Sequence, residues 1–195
     1  MARPRSTDAH ARILDATNAL LEECTVAELC VEEIADLARV GKQTIYKWWG
    51  GKRALAMEAV LSSLQHHVPA TDTGDLKKDL LSFLRRSGRV LRDTATGRTL
   101  ASLMAEAQSD PDFRAAFREQ FLEVRRDALL ELLEAGVARG QLRKGLELDL
   151  VLDALFGAYW YRLLTRRAPI DDRFAEELVG LLLPGIAVRP KRKAA

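Results

Sequence analysis

The stretch Val31–Arg53, VEEIADLARVGKQTIYKWWGGKR, decides the fold. Its first half places Val31, Ile34, Ala35 and Ala38 at i, i+3, i+4 and i+7, the spacing that lays one apolar stripe along a helix. A break of a few residues around Arg39–Gly41 follows. Helical spacing then restarts at Ile45, Trp48 and Trp49, and the pair Gly50 and Gly51 stops it. Two short helices joined by a tight turn predict a helix-turn-helix. From Arg39 to Arg53 the charged residues are Arg39, Lys42, Lys47, Lys52 and Arg53, with no acid among them, although the whole chain carries a net charge of only +2. The positive charge is local, and its natural partner is a polyphosphate.

The segment EEIADLARVGKQTIYKWWGGKRAL resembles the DNA-binding segment of the tetracycline-repressor (TetR) family. That pattern has an EEIA-type helix, a glycine-containing turn, a T-x-Y recognition helix, an aromatic pair, and a lysine opening the next helix. Thr44, Ile45, Tyr46, Trp48, Trp49, Lys52, Ala54 and Leu55 fall in place. The resemblance covers roughly residues 8 to 60 and is looser beyond, in helix number and in DALFGAYWYRLLTRRAPID. Four positions depart from it. Arg39 stands where the family usually has the turn glycine, Gly41 where it often has a capping Ser, Cys24 at a helix-terminating Gly, and Cys30 at an N-cap Thr. A positive φ at Arg39 costs roughly 1 kcal/mol relative to Gly. Losing the hydroxyl caps costs about 0.5–2 kcal/mol each, and no phosphate contact is assigned to Gly41 or Cys30.

At 195 residues the chain is long enough for one or two domains and a real core. Hydrophobic residues at 48% and charged residues at 30% are globular values, and the abundance of Ala, Leu, Glu and Arg favours helix. The N-terminal MARPRS has no apolar core of a signal peptide. The longest apolar run, Leu178–Val188, is broken by Pro184 and falls short of the roughly 20 residues that span a bilayer. A cytoplasmic protein without membrane contact is expected. Cys24 and Cys30 have no second pair to complete a metal site, and they read as small half-buried residues.

Along the chain, the arm with Arg3 and Arg5 around Pro4 is either a minor-groove arm or a frayed end. Thr7 or Asp8 opens a first helix with Ile13, Ala16, Leu20 and Leu21 on its stripe. Lys52 opens a fourth, with Met57, Val60, Leu61, Leu64 and Val68, ended by Pro69. His66 and His67 near its end project about 100° apart and cannot converge on one ion. A fifth helix carries Leu76, Leu80, Phe83, Leu84 and Leu91, and a sixth Leu100, Leu103, Met104 and Ala107. Asp110-Pro111 is an N-cap followed by proline at the first helical position. It predicts a long seventh helix, through Phe113, Phe117 and Phe121 at i+4 spacing to Val137, stopped by Gly140. The eighth has Leu148, Val151, Leu152, Leu155, Phe156, Tyr159 and Leu163. The ninth has Phe174, Leu178, Leu181 and Leu182, before a basic tail RPKRK. No segment alternates or repeats. The prediction is all-α, about nine helices, with a three-helix DNA-binding domain over 1–53 and a larger ligand-binding and dimerisation domain over 54–195.

In the recognition helix, Lys42, Gln43, Thr44 and Lys47 take early and exposed positions able to face base edges. Gln bonds adenine bidentately, Lys reaches guanine, and the Thr methyl packs on thymine. By the resemblance, Tyr46, Trp48 and Lys52 match phosphate-contacting positions. The same aromatic residues also suit the core of a small domain, the reading preferred for Trp49. The resemblance further implies a small-molecule pocket among the fourth to eighth helices. Candidates there are Phe83, Met104, Gln108, Phe117, Phe121 and Trp160, apolar bulk with a few polar groups, although apolar residues at helical spacing also make plain core. No cofactor or metal is implied, and neither a P-loop nor a G-x-S-x-G or HExxH motif is present.

The expected function is a homodimeric transcriptional repressor on a palindromic operator, paired through the eighth and ninth helices and released by a small apolar or aromatic effector. An α-helical enzyme or small-molecule carrier is the alternative, and a packaging protein without sequence choice a third. Only the regulator explains a local basic motif followed by a mostly uncharged helical region.

Overall fold

The computed structural model describes residues 7–188. The arm with Arg3 and Arg5 and the tail RPKRK lie outside the described residues. Ten α-helical segments follow one another: α1 (Thr7–Glu23), α2 (Val31–Ala38), α3 (Lys42–Trp49), α4 (Lys52–His67), α5 (Leu76–Asp93), α6 (Ala95–Ser109), α7 (Pro111–Phe117), α8 (Glu123–Ala138), α9 (Leu148–Thr165) and α10 (Asp172–Ile186). There is no strand among the described residues. One isolated antiparallel bridge joins Leu142 to Ala187.

The predicted seventh helix is α7 and α8 joined by a π-helical turn over Arg118–Leu122, so nine continuous helical stretches match the expected number. The reason lies in the spacing. Phe113, Phe117, Phe121, Arg125 and Leu129 are all buried. Each i+4 step on a regular α-helix advances about 40° beyond a full turn. Over four steps that drift carries a residue to the wrong face, and a wider π turn winds it back.

The chain forms two compact units, the first running through His67 and taking in Asp93–Phe121, the second comprising Val68–Arg92 and everything from Leu122 onward. In the first, α1 buries Ile13, Leu14, Ala16, Thr17 and Leu21 and packs against α2, α4 and α6. Thr94 caps α6 by accepting from the Thr96 amide, and Asp110 caps α7 by accepting from the Phe113 amide at 3.0 Å. That amide and the Arg53 guanidinium, 2.9 Å away, hold the Asp110 carboxyl below the usual carboxylate range.

In the second unit α5 buries Leu76, Leu80, Phe83 and Leu84. Two glycines permit close approach. A Cβ on Gly136 of α8 would stand 2.7 Å from a Leu76 methyl, and one on Gly88 of α5 would stand 2.9 Å from the Ile170 carbonyl oxygen. The buried Tyr159 hydroxyl donates to the Leu84 carbonyl at 2.8 Å, and Asp171 caps α10 by accepting from the Phe174 amide. Leu181 departs from its expected place on the core stripe. It is 77% exposed although, seven residues after Phe174, it lies within about 20° of the same face, because the buried part of α10 ends at Val179.

Candidate nucleic-acid interface

The helix-turn-helix is built from α2 and α3. Ile34 and Ile45 are fully buried, one from each helix, and the chain between them reverses through Arg39, whose φ of 53° and ψ of 52° are left-handed. The amide of Arg39 donates to Asp36 and that of Val40 to Ala35, closing the end of α2. Arg12 of α1 adds a donor to the last carbonyl of α2, Ala38, at 3.0 Å. Neither Cys30 before α2 nor Gly41 before α3 contributes a side-chain cap. Cys24 ends α1 without a positive φ.

With Ile45 turned inward, α3 exposes Lys42, Gln43, Tyr46 and Lys47, while Thr44 and Trp48 are half-buried. Tyr46 is 45% exposed. This face is one-sided, polar and cationic, the form that a major-groove reader takes.

The cations do not all remain available. Lys42 pairs with Glu32 of α2 at 3.1 Å, which holds the Glu32 carboxyl below the usual range. Arg53 bonds Asp110 at 2.9 Å and lies over the Phe113 ring at 4.9 Å. The Lys52 ammonium donates to the carbonyls of Ala27 and Leu29, the latter at 3.2 Å, and so clasps the turn before α2. Arg39 and Lys47 have no side-chain partner among the described residues. Trp49 turns inward: its indole donates to Glu58 at 2.5 Å and its ring stacks on His10 at 5.3 Å, while His10 also bonds Glu58 at 2.6 Å. Trp48 meets Trp49 edge-on at 5.6 Å.

Comparison with known proteins agrees with this architecture. The family model described as bacterial regulatory proteins, tetR family, matches residues 13–59, and that of the tetracyclin repressor-like C-terminal domain matches residues 70–182. The chain belongs to the TetR family. An HTH-type transcriptional regulator of Bacillus subtilis, YdeS, is 33% identical over 184 residues, 94% of this chain and 92% of its own. AqdR of Rhodococcus erythropolis, also an HTH-type transcriptional regulator, is 27% identical over 94% of this chain and 88% of its own. The crystal structure of the TetR family transcription regulator SCO0332 superposes with a TM-score of 0.84 at 36% identity, covering 94% of this chain and all of that one. This protein is therefore a DNA-binding transcriptional regulator and not an enzyme. TetR regulators act as dimers and respond to small-molecule effectors. No helix among the described residues is long and apolar enough to cross a membrane.

The expected pocket residues of this TetR regulator divide between the two units. In the first, Phe117 and Phe121 are buried and stack at 5.1 Å. Gln108 is exposed and donates to the Met104 carbonyl of its own helix at 3.3 Å, and Met104 is half-buried. In the second, Phe83 is 1% exposed and meets the Phe156 ring edge-on at 6.4 Å, while Trp160 is half-buried. The sequence reading missed Arg125 of α8, which is 8% exposed and lies with its guanidinium 5.1 Å from the Phe83 ring centroid. Its signal was a charge falling on the i+4 row of the phenylalanines. On α9, Leu150, Tyr161 and Leu164 are 67%, 55% and 50% exposed, in line with the exposed Ala154 and Gly157. Leu181 of α10 is a further large apolar side chain left exposed in this unit.

Proposed function

We propose that the protein is a homodimeric repressor acting in the cytoplasm, which reads a palindromic operator with α3 and is released by a small apolar or aromatic effector. One observation carries the reading: the one-sided face of Lys42, Gln43, Tyr46 and Lys47 on a helix anchored by Ile45. Lys42, Gln43, Thr44 and Lys47 read base edges, and Tyr46, Trp48 and Lys52 meet phosphates. Residues 1–53 form the reader and 54–195 the effector and dimer domain. In the second unit, Phe83 and Trp160 supply effector contacts.

The dimer forms through the predicted eighth and ninth helices, here α9 and α10. Support comes from their exposed apolar residues, more than a helix packed on one side needs. The small Ala154 and Gly157 allow a partner helix close approach. A two-fold pairing presents two readers about one turn apart, on the order of 34–36 Å.

Selection of bound fragments from random duplex DNA tests the reading. Recovery of a palindrome with half-sites one turn apart is expected, and Gln43→Ala should relax preference at one base pair per half-site by roughly 1–3 kcal/mol. Binding without sequence preference would overturn it. For the effector, reciprocal titration applies: a ligand that weakens DNA binding 5- to 150-fold, the usual range of about 1–3 kcal/mol, must itself bind more weakly by the same factor when operator is present.

A further inference from the structure

Among the described residues Arg125 is the only buried cation. Its Nη1 donates to the Val68 carbonyl at 3.4 Å, the long edge of a hydrogen bond. A guanidinium carries five N–H donors; the others of this one make no hydrogen bond among the described residues and keep a sliver of solvent contact, since Arg85 Nε is the fully buried nitrogen left without a partner there. No carboxylate among the described residues pairs with it. The adjacent Arg126 shows the contrast, binding Asp149 at 2.8 Å and Asp153 at 2.6 Å from the surface. The one buried acid of the second unit, Asp79, is taken by the Thr73 amide and hydroxyl at 2.9 and 2.6 Å.

An ionised side chain at this depth is costly unless an opposite charge or a full set of acceptors meets it. Desolvation lowers the Arg125 pKa to about 10, so the group stays charged at neutral pH. A methionine would fill similar volume at no such cost. The surroundings are aromatic: the Phe83 ring lies against the guanidinium, and Phe156 lies against Phe83. The unit therefore holds one positive charge that no carboxylate of the described residues meets, beside an apolar wall.

We infer that Arg125 anchors the effector, and that the effector is an organic monoanion, a carboxylate on an apolar or aryl body that rests on Phe83 and Phe156. The inference rests on the reading of this chain as an effector-responsive regulator and names the chemistry of that effector. One guanidinium matches one carboxylate, two oxygens against a planar fork. The anchor also has a route to the reader. Val68 directly follows His67, the last residue of α4, and a carboxylate that draws the guanidinium away from the Val68 carbonyl releases that residue.

The test uses the full chain and a set of matched probes: straight-chain and phenyl-terminated alkanoates from butanoate to hexadecanoate, each with its primary amide. Binding is read by calorimetry and by thermal shift, for the wild type, Arg125→Met and Arg125→Lys. At least one acid should bind the wild type about 10- to 100-fold more tightly than its amide, the range for a charge-assisted hydrogen bond. Arg125→Met should erase that preference while its ligand-free Tm stays level or rises, since no ion pair is broken. Arg125→Lys should retain part of it, and decides the matter if the methionine variant does not fold. Acids and amides binding alike, or amides alone binding, would overturn the anchor and leave the effector reading intact. If no probe binds, the anchor fails, and the effector reading is decided separately by the reciprocal titration described above. A less stable Arg125→Met that keeps its acid preference makes the arginine structural and overturns the inference.

Discussion

Arg39 holds a backbone conformation that a residue with a Cβ adopts at a cost, φ 53° at the turn between α2 and α3. Arg39→Gly should stabilise the protein by about 1 kcal/mol, measured by urea unfolding. It should also weaken operator binding and lower the salt slope by about one unit per protomer, because an exposed cation beside the reader is removed. A raised stability with an unchanged slope would take Arg39 out of the DNA-facing set. Lys52 carries the opposite expectation. Its ammonium clasps the carbonyls of Ala27 and Leu29, so Lys52→Met should lose about 1–2 kcal/mol of stability besides any loss of DNA affinity. An unchanged unfolding midpoint would show that the clasp contributes nothing. The sequence disclosed which residues are charged but not which charges are engaged. Glu32 and Asp110, which hold Lys42 and Arg53, lie ten and 57 residues away from them in the chain, and such pairings arise only on folding.

At the scale of the helices, periodicity located nearly every element, since the apolar stripes of α1, α4, α5 and α6 are the faces the structure buries. It did not reveal the π turn. A reader assuming 3.6 residues per turn passes through Phe113, Phe117 and Phe121 without noticing that four-residue steps accumulate drift, although the row through Arg125 and Leu129 records it. Leu181 misled for a related reason: a stripe in sequence marks an apolar face, not the partner that covers it. Close backbone approach was equally hidden, because a glycine inside a helical pattern shows no neighbour. Gly88→Ala should destabilise by about 1–3 kcal/mol, as its Cβ would meet the Ile170 backbone carbonyl rather than a yielding side chain. Gly157→Ala, with open space around it, serves as control and should leave the stability of the isolated protomer level or slightly raised. Equal effects of the two on thermal unfolding would contradict the packing described for the α5 turn facing Ile170.

At the scale of the whole molecule, the helix-turn-helix segment was legible because an ordered motif of more than twenty residues leaves few alternatives. The effector chemistry was not legible, because buried aromatic residues look the same in sequence whether they line a cavity or fill a core. The exposed row on α9 and α10 gives a prediction at this scale. Leu181→Glu should shift the protein toward monomer in sedimentation velocity and weaken binding to a palindrome at least tenfold, while leaving helix content unchanged. A dimer of undiminished strength would move the interface elsewhere.

That uncovered row also bears on dosage. When a contact surface is completed only by a second copy of the same chain, the number of copies in the cell enters the regulatory response. Where protomers are scarce relative to the dimer dissociation constant, the dimer population rises with the square of the protomer concentration. A doubling of expression then raises the amount of DNA-competent protein about fourfold. Under the proposed pairing, gene copy number and promoter strength become control variables alongside any effector, and the apolar residues of α9 and α10 set the threshold at which that steep regime gives way to a linear one.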